Sequence, residues 1–272
     1  MKVSKIISAA MVLAMAVSFA GCAKTEATSD ATTVGGDDSA RKQFVVGFDA
    51  EFPPMGFQDN NGEYVGFDLD VAKEVADRLG YEFVAQPIAW DAKDQELESG
   101  NIDCIWNGFT ITDERKDKYT WSEAYMANDQ VVVVNADSDI KTLADLAGKK
   151  VAVQKDSSGL AALEDNAELT DSFGELVQVD SYLNALMDLE SGGVDAIVMD
   201  EIVARYEIQT SGKSMIVLDE AVASEEYGVG FLLGNTELRD KVQDALEDMA
   251  KDGTLAEISN KWFGEDITTI GK

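Results

Sequence analysis

The sequence predicts an α/β protein of two similar lobes, each a mainly parallel sheet flanked by helices. Three observations point there. Strand and helix signals alternate through the body of the chain, the pattern that gives parallel sheets covered on both faces. A helix–glycine–strand junction occurs twice, as Leu97-Glu98-Ser99-Gly100-Asn101-Ile102-Asp103-Cys104-Ile105 and as Leu189-Glu190-Ser191-Gly192-Gly193-Val194-Asp195-Ala196-Ile197. The elements upstream of the two copies come in the same order.

The elements follow from the N-terminus. Lys2 and Lys5 precede an apolar run from Ile6 to Phe19. That run is short for a membrane span and has the length of a signal-peptide core. It ends in Phe19-Ala20-Gly21-Cys22, which resembles a bacterial lipobox with Phe19 in place of the usual leucine. Residues 1–21 are therefore expected to be a lipoprotein signal peptide, and Cys22 the lipidated residue. Residues 22–40, rich in Ala, Thr, Ser, Gly and Asp, read as a flexible tether reaching roughly 20–25 Å. The first half of the body then gives a strand at Gln43–Phe48 and a helix at Asp68–Leu79. That helix gathers Val71, Ala72, Val75, Ala76 and Leu79 on one face and stops at Gly80. A strand at Tyr81–Ile88 and a helix running into Leu97 complete this half. The second half repeats the layout: strand Lys150–Gln154, helix Leu160–Ala167, strand Glu175–Val179 and helix Tyr182–Leu189.

Composition narrows the function. Once residues 1–21 are gone, 20 Lys and Arg face 52 Asp and Glu, a net charge of −32, so a phosphate backbone would be repelled. The chain has no histidine, which excludes His-dependent triads and His-ligated metals. Two cysteines cannot frame a disulfide scaffold or a Cys-only zinc site, and Cys104 reads as a buried free thiol. No cofactor and no metal are expected. Ser211-Gly212-Lys213-Ser214 lacks the leading glycine of a phosphate loop, since Glu207 stands there.

In such sheets ligands bind beyond the carboxyl ends of the strands. Those ends carry Asp49, Glu51 and Phe52; Trp90; Asn107, Gly108 and Thr110; Gln154, Ser157 and Ser158; and Asp200. Carboxylates, amides, hydroxyls and two aromatics suit a small polar ligand held between lobes. Trp106, one residue before Asn107, alternates away into the core.

Gly66-Phe67-Asp68-Leu69-Asp70-Val71 resembles the signature of the family 3 solute-binding proteins, the polar amino-acid receptors of ABC importers. Asp49–Phe57, Gly108–Arg115 and Asn260–Gly264 resemble three further segments of that family, in the same order. The likeness covers about residues 41–268. It implies a periplasmic-binding-protein fold, with lobe 1 at 41–126 and 228–268, lobe 2 at 130–223, and two crossing strands near Met126–Val131 and Ser224–Gly228. It also implies a monomer at the outer face of the cytoplasmic membrane or in the periplasm, handing its ligand to a permease and ATPase.

The resemblance assigns roles. Arg115, placed one helical turn after an expected N-cap at Thr112, would take the ligand's α-carboxylate in a two-pronged pair. Thr110 and the Gly108 backbone would complete the carboxylate and ammonium contacts. Asp200 would hold the α-ammonium, its competing role being a helix cap. Ser157 and Ser158 would cap a helix and add N–H groups toward a carboxylate. Phe52 and Trp90 would wall the side-chain pocket, and Asp49, Asn107 and Gln154 would set specificity. Glu51 adds acid that favours a cationic side chain. Two other readings fit this fold: a cyclohexadienyl-dehydratase-like enzyme using Glu51, Asp156 and Asp200, and a solute sensor domain.

Overall fold

The structure is a computed structural model that describes residues 42–272. The expected signal peptide, tether and lipid-bearing Cys22 lie outside the described residues. Strand β1 (Gln43–Phe48) buries Phe44, Val46 and Phe48. A small antiparallel sheet follows, made of β2 (Glu51–Phe52), β3 (Gly56–Gln58) and β4 (Tyr64–Val65); its strands are too short to leave a periodic signal. Helix α1 (Phe67–Leu79) buries Val71, Ala72, Val75 and Ala76 of the predicted stripe, leaves Leu79 half-buried, and ends at Gly80, whose φ of 71° lets its N–H reach back to Ala76 and Asp77 carbonyls. Strand β5 (Glu82–Pro87) lies parallel to β1 along its whole length, and α2 (Lys93–Glu98) leads to β6 (Cys104–Ile105) on the other side of β1. Strand β7 (Tyr119–Trp121) ends this passage.

The chain then enters the second half through β8 (Met126–Asn135). It continues through β9 (Lys150–Gln154), α3 (Ser158–Asp165), α4 (Ala167–Thr170), β10 (Glu175–Val179), α5 (Tyr182–Ser191), β11 (Ala196–Asp200), α6 (Glu201–Ser211) and β12 (Met215–Val217). It returns along β13 (Ala223–Tyr227) to β14 (Gly230–Leu232), α7 (Thr236–Asp252) and α8 (Thr254–Phe263). The first sheet has the order β5-β1-β6-β14-β7 and the second β10-β9-β11-β8-β12, with β13 also on β8. In each sheet three neighbouring strands are parallel: β5, β1 and β6 in one, β10, β9 and β11 in the other. The two lobes are joined by crossing strands: β8 and β13 run antiparallel from Met126↔Tyr227 to Gln130↔Ala223.

Two local expectations need correcting. The segment after Thr112 forms no helix; Asp113–Lys118 is wound into turns that close on Thr112 and Arg115 carbonyls before β7 begins. A run of six charged residues has no apolar face to bury, so nothing extends the first turn. Helix α3 starts at Ser158 rather than Leu160, because the Ser157 hydroxyl accepts the Leu160 N–H at 3.1 Å. Cys104 and Trp106 are fully buried, as read from the sequence. Among the described residues no helix is long and apolar enough to cross a membrane.

Candidate functional site

Asp49 and Phe52 follow β1, Trp90 follows β5, and Asn107, Gly108 and Thr110 follow β6. From the other lobe, Gln154 ends β9, Ser157 and Ser158 open α3, and Asp200 ends β11. These are the carboxyl ends of the parallel strands, brought face to face. The eleven residues, Arg115 included, line one cavity.

Charge is divided between the two sides. Arg115, only 7% exposed, comes from the first lobe. Its Nη2 donates to the Asp156 carbonyl at 2.7 Å, its Nη1 to the Thr110 carbonyl at 3.4 Å, and its guanidinium lies 5.0 Å from the Phe109 ring centre. Asp200, 3% exposed, comes from the second lobe. It occupies the position before α6, yet its side chain makes no capping bond. It accepts instead from the Tyr227 hydroxyl at 2.6 Å and the Asn128 amide at 3.0 Å. Burial pushes the Asp200 carboxyl well above its ordinary range, the nearby Glu225 charge adds to this, and the Tyr227 hydroxyl opposes it. A cation set against Asp200 would relieve the same strain.

Gly108 holds its loop through a buried carboxylate. Its N–H donates to Asp68 at 2.6 Å, and the Tyr125 hydroxyl donates to the same oxygen at 2.9 Å. Its φ of 55° suits glycine, and an added Cβ would sit 3.0 Å from Phe52 and 3.1 Å from Tyr227. With the N–H committed to Asp68, the Gly108 carbonyl is the backbone group of that residue left for a ligand. Burial pushes Asp68 up to about 7 against those two hydrogen bonds.

The polar end of the cavity joins Asp49 to Gln154, whose amide donates to Asp49 at 2.8 Å across the cleft. The Asn107 side-chain oxygen Oδ1 accepts the Asp49 N–H at 2.6 Å, while the amide nitrogen of the same buried side chain has no partner in the protein. Burial raises the Asp49 carboxyl; the Glu51 N–H and the Gln154 amide pull it back only in part. Thr110 also reaches across, donating to the Ser158 hydroxyl at 3.1 Å. Phe52 meets Tyr182 of the other lobe at 5.9 Å between ring centres.

Residues 44–265 match the bacterial extracellular solute-binding proteins, family 3. The chain belongs to family 3. Among relatives of this family 3 protein, the L-cystine-binding protein TcyJ of Escherichia coli K12 is 34% identical over 230 residues, covering 84% of this chain and 85% of its own. The arginine-binding extracellular protein ArtP of Bacillus subtilis is 29% identical, covering 90% and 95%. The crystal structure of an ABC uptake transporter substrate-binding protein from Streptococcus pneumoniae with bound histidine is 39% identical, with a TM-score of 0.81 over 84% of this chain and 94% of that one.

Four residues of this family 3 site escaped the sequence reading. Lys93 is 1% exposed, and its ammonium pairs with the Asp156 carboxylate and lies 5.1 Å from the Trp90 ring centre. Burial lowers its pKa, and Arg115 lowers it further, against the pull of Asp156. In sequence it looks like any helix lysine among acids. Asn128, Glu225 and Tyr227 sit on the crossing strands, and only knowledge of which strands cross would have marked them. Asp68 was quoted as part of a motif, but its contact with Gly108 spans forty residues of sequence.

Proposed function

We propose that the protein captures an amino acid with a cationic side chain between its lobes and delivers it to an ABC importer. The observation that carries this is the division of charge: Arg115 on one lobe and Asp200 on the other, lining one cavity. A ligand with an α-carboxylate and an α-ammonium links the two and so favours the joined arrangement, the differential contact that any ligand-driven closure needs. The cationic preference rests on Asp49. It is 8% exposed, and the groups bonded to it are the Glu51 N–H and the Gln154 amide, neither of them a cation. The ionisable groups lining the cavity are Asp49, Asp200 and Arg115, one negative charge in excess. A ligand of net charge +1 neutralises the set. The flat walls of Phe52 and Trp90 suit a planar cation as well. Relatives named for arginine and bound to histidine support the same reading; cystine, named for another, is the contrasting ligand.

Placement follows from the N-terminus. Cys22 carries the lipid and residues 22–40 hold a monomeric receptor just off the membrane, on the outer face of the cytoplasmic membrane or in the periplasm. The role involves binding and release with no catalytic step. A thermal-shift screen against twenty amino acids and cystine tests the assignment. A ligand at 100 times its dissociation constant adds about 2.7 kcal/mol to stability. L-Arginine, L-lysine or L-histidine should give the largest shift; no shift with any of the set refutes the reading, and a largest shift with a neutral or acidic ligand refutes its cationic part.

A further inference from the structure

We propose that Lys93 and Asp156 are positioning residues for binding, a latch across the cleft that engages over a ligand bearing an α-carboxylate and sets how long the ligand stays. The inference rests on the amino-acid reading above. Among the described residues this is the one ion pair that joins the two lobes; the others stay within a helix or within one lobe.

Asp156 is built for two partners at once. It is the one non-glycine residue of positive φ among the described residues, at 53°, a region aspartate enters more readily than most. That turn sends its carbonyl to Arg115 Nη2 at 2.7 Å and to Lys93 Nζ at 3.4 Å, while its carboxylate meets the Lys93 ammonium. The carbonyl therefore helps aim the fork of Arg115, and the carboxylate ties the loop to α2. Lys93 enters from beneath, enclosed by the protein and held over Trp90. The acid next along the chain, Asp94, accepts from the Tyr119 hydroxyl instead.

Charge makes the latch conditional. Closing brings the Lys93 and Arg115 cations together at Asp156, whose carboxylate pairs with Lys93 and leaves Arg115 bonded to carbonyls alone, without a carboxylate of its own. A ligand carboxylate on Arg115 supplies the second anion and balances the group. An amino-acid amide, which lacks it, leaves the repulsion in place.

Stopped-flow tryptophan fluorescence with L-arginine, reading the cavity-wall Trp90, separates association from release. Lys93→Met keeps the buried volume and removes the charge, leaving Asp156 with a side chain half exposed to water and so at little penalty. Asp156→Asn tolerates the same φ and touches only an exposed position, so it serves if the Lys93 variant is poorly folded. Each should speed release about tenfold and leave association within about threefold, the usual partition for a contact made after encounter. The double variant should be no faster than the singles, and Lys93→Arg should restore slow release. Raising salt from about 0.05 to about 0.5 M should hasten release from the parent protein and not from the variants. L-Argininamide should release at the same rate from parent and variants. Unchanged release in well-folded variants overturns the latch alone. Failure of the parent to bind any of the twenty amino acids or cystine overturns the amino-acid reading, and the latch with it.

Discussion

Replacing Asp200 by asparagine should separate binding from stability. Its carboxylate is almost fully enclosed and accepts from Tyr227 and Asn128 through a single oxygen. An asparagine carbonyl can accept both bonds, so the shape of the site survives and only the charge goes. Removing one partner of a desolvated charge pair costs about 2–5 kcal/mol. At about 1.4 kcal/mol per decade, affinity for L-arginine should fall roughly 30-fold to several thousandfold. Stability moves the other way. Burial and Glu225 raise the folded-state carboxyl above its ordinary value of 3.8. Stability linked to a raised group is fully present below that ordinary value and is lost as pH rises through the elevated one. Near neutral pH the parent therefore carries a penalty that asparagine lacks. The ligand-free variant should melt no lower than the parent while its ligand-induced gain shrinks. Titration calorimetry and scanning calorimetry at about pH 7.5 read the two quantities. Affinity within threefold of the parent, with the fold intact by circular dichroism, refutes the assignment of Asp200 to the ammonium. A large drop in ligand-free melting temperature refutes the burial argument.

Three further outcomes are expected. Gln154→Ala removes a donor to Asp49 and should reorder preference among L-arginine, L-lysine and L-glutamine while leaving the shared α-amino-acid contacts intact; an even loss across all three, measured by calorimetry, refutes the specificity role. Asp68 has its folded value pushed up to about 7, so its stability is lost as pH rises between about 4 and about 7; urea unfolding should show the parent losing on the order of 2–3 kcal/mol between pH 5 and pH 8 that Asp68→Asn retains, and parallel pH profiles refute this. Cys22→Ser should move the protein from the membrane fraction to the soluble one, and retention in the membrane by immunoblot refutes lipid anchoring.

The repeated helix–glycine–strand junction carried much of the architecture, because parallel strands need long helical returns and each return leaves a hydrophobic stripe and a stop. Strands Gln43–Phe48, Lys150–Gln154 and Glu175–Val179 have the bounds their patterns predict. Most of the lining residues could be named for a similar reason: a parallel sheet puts its ligand at the carboxyl ends, and those ends are visible in sequence; Arg115 was named from the resemblance of Gly108–Arg115 to the family's segment. What the sequence does not contain is the meeting of the lobes. Lys93 and Asp156 lie sixty-three positions apart and are joined only by closure. The helix expected after Thr112 shows the complementary failure: a capping residue before charged residues reads like a helix start, yet without an apolar face one turn forms and stops.

The crossing strands carry more than the connection. Asn128 on β8 donates one amide to both Asp200 and Glu225, at 3.0 and 2.7 Å. Gln130, two residues on, donates to Glu225 at 3.0 Å and to the Ser158 hydroxyl at 3.1 Å. Tyr227 on β13 holds Asp200, and Tyr125, just before β8, holds Asp68 and through it the Gly108 loop. Asp200 and the start of α3 at Ser158 are thus both fastened to the strands that connect the lobes. Each of these side chains is buried or half-buried, so breaking any one of these bonds would leave a polar group unpaired unless water enters. The site and the crossing strands share one set of hydrogen bonds here, which is why a substitution on the crossing strands should alter affinity without touching the ligand.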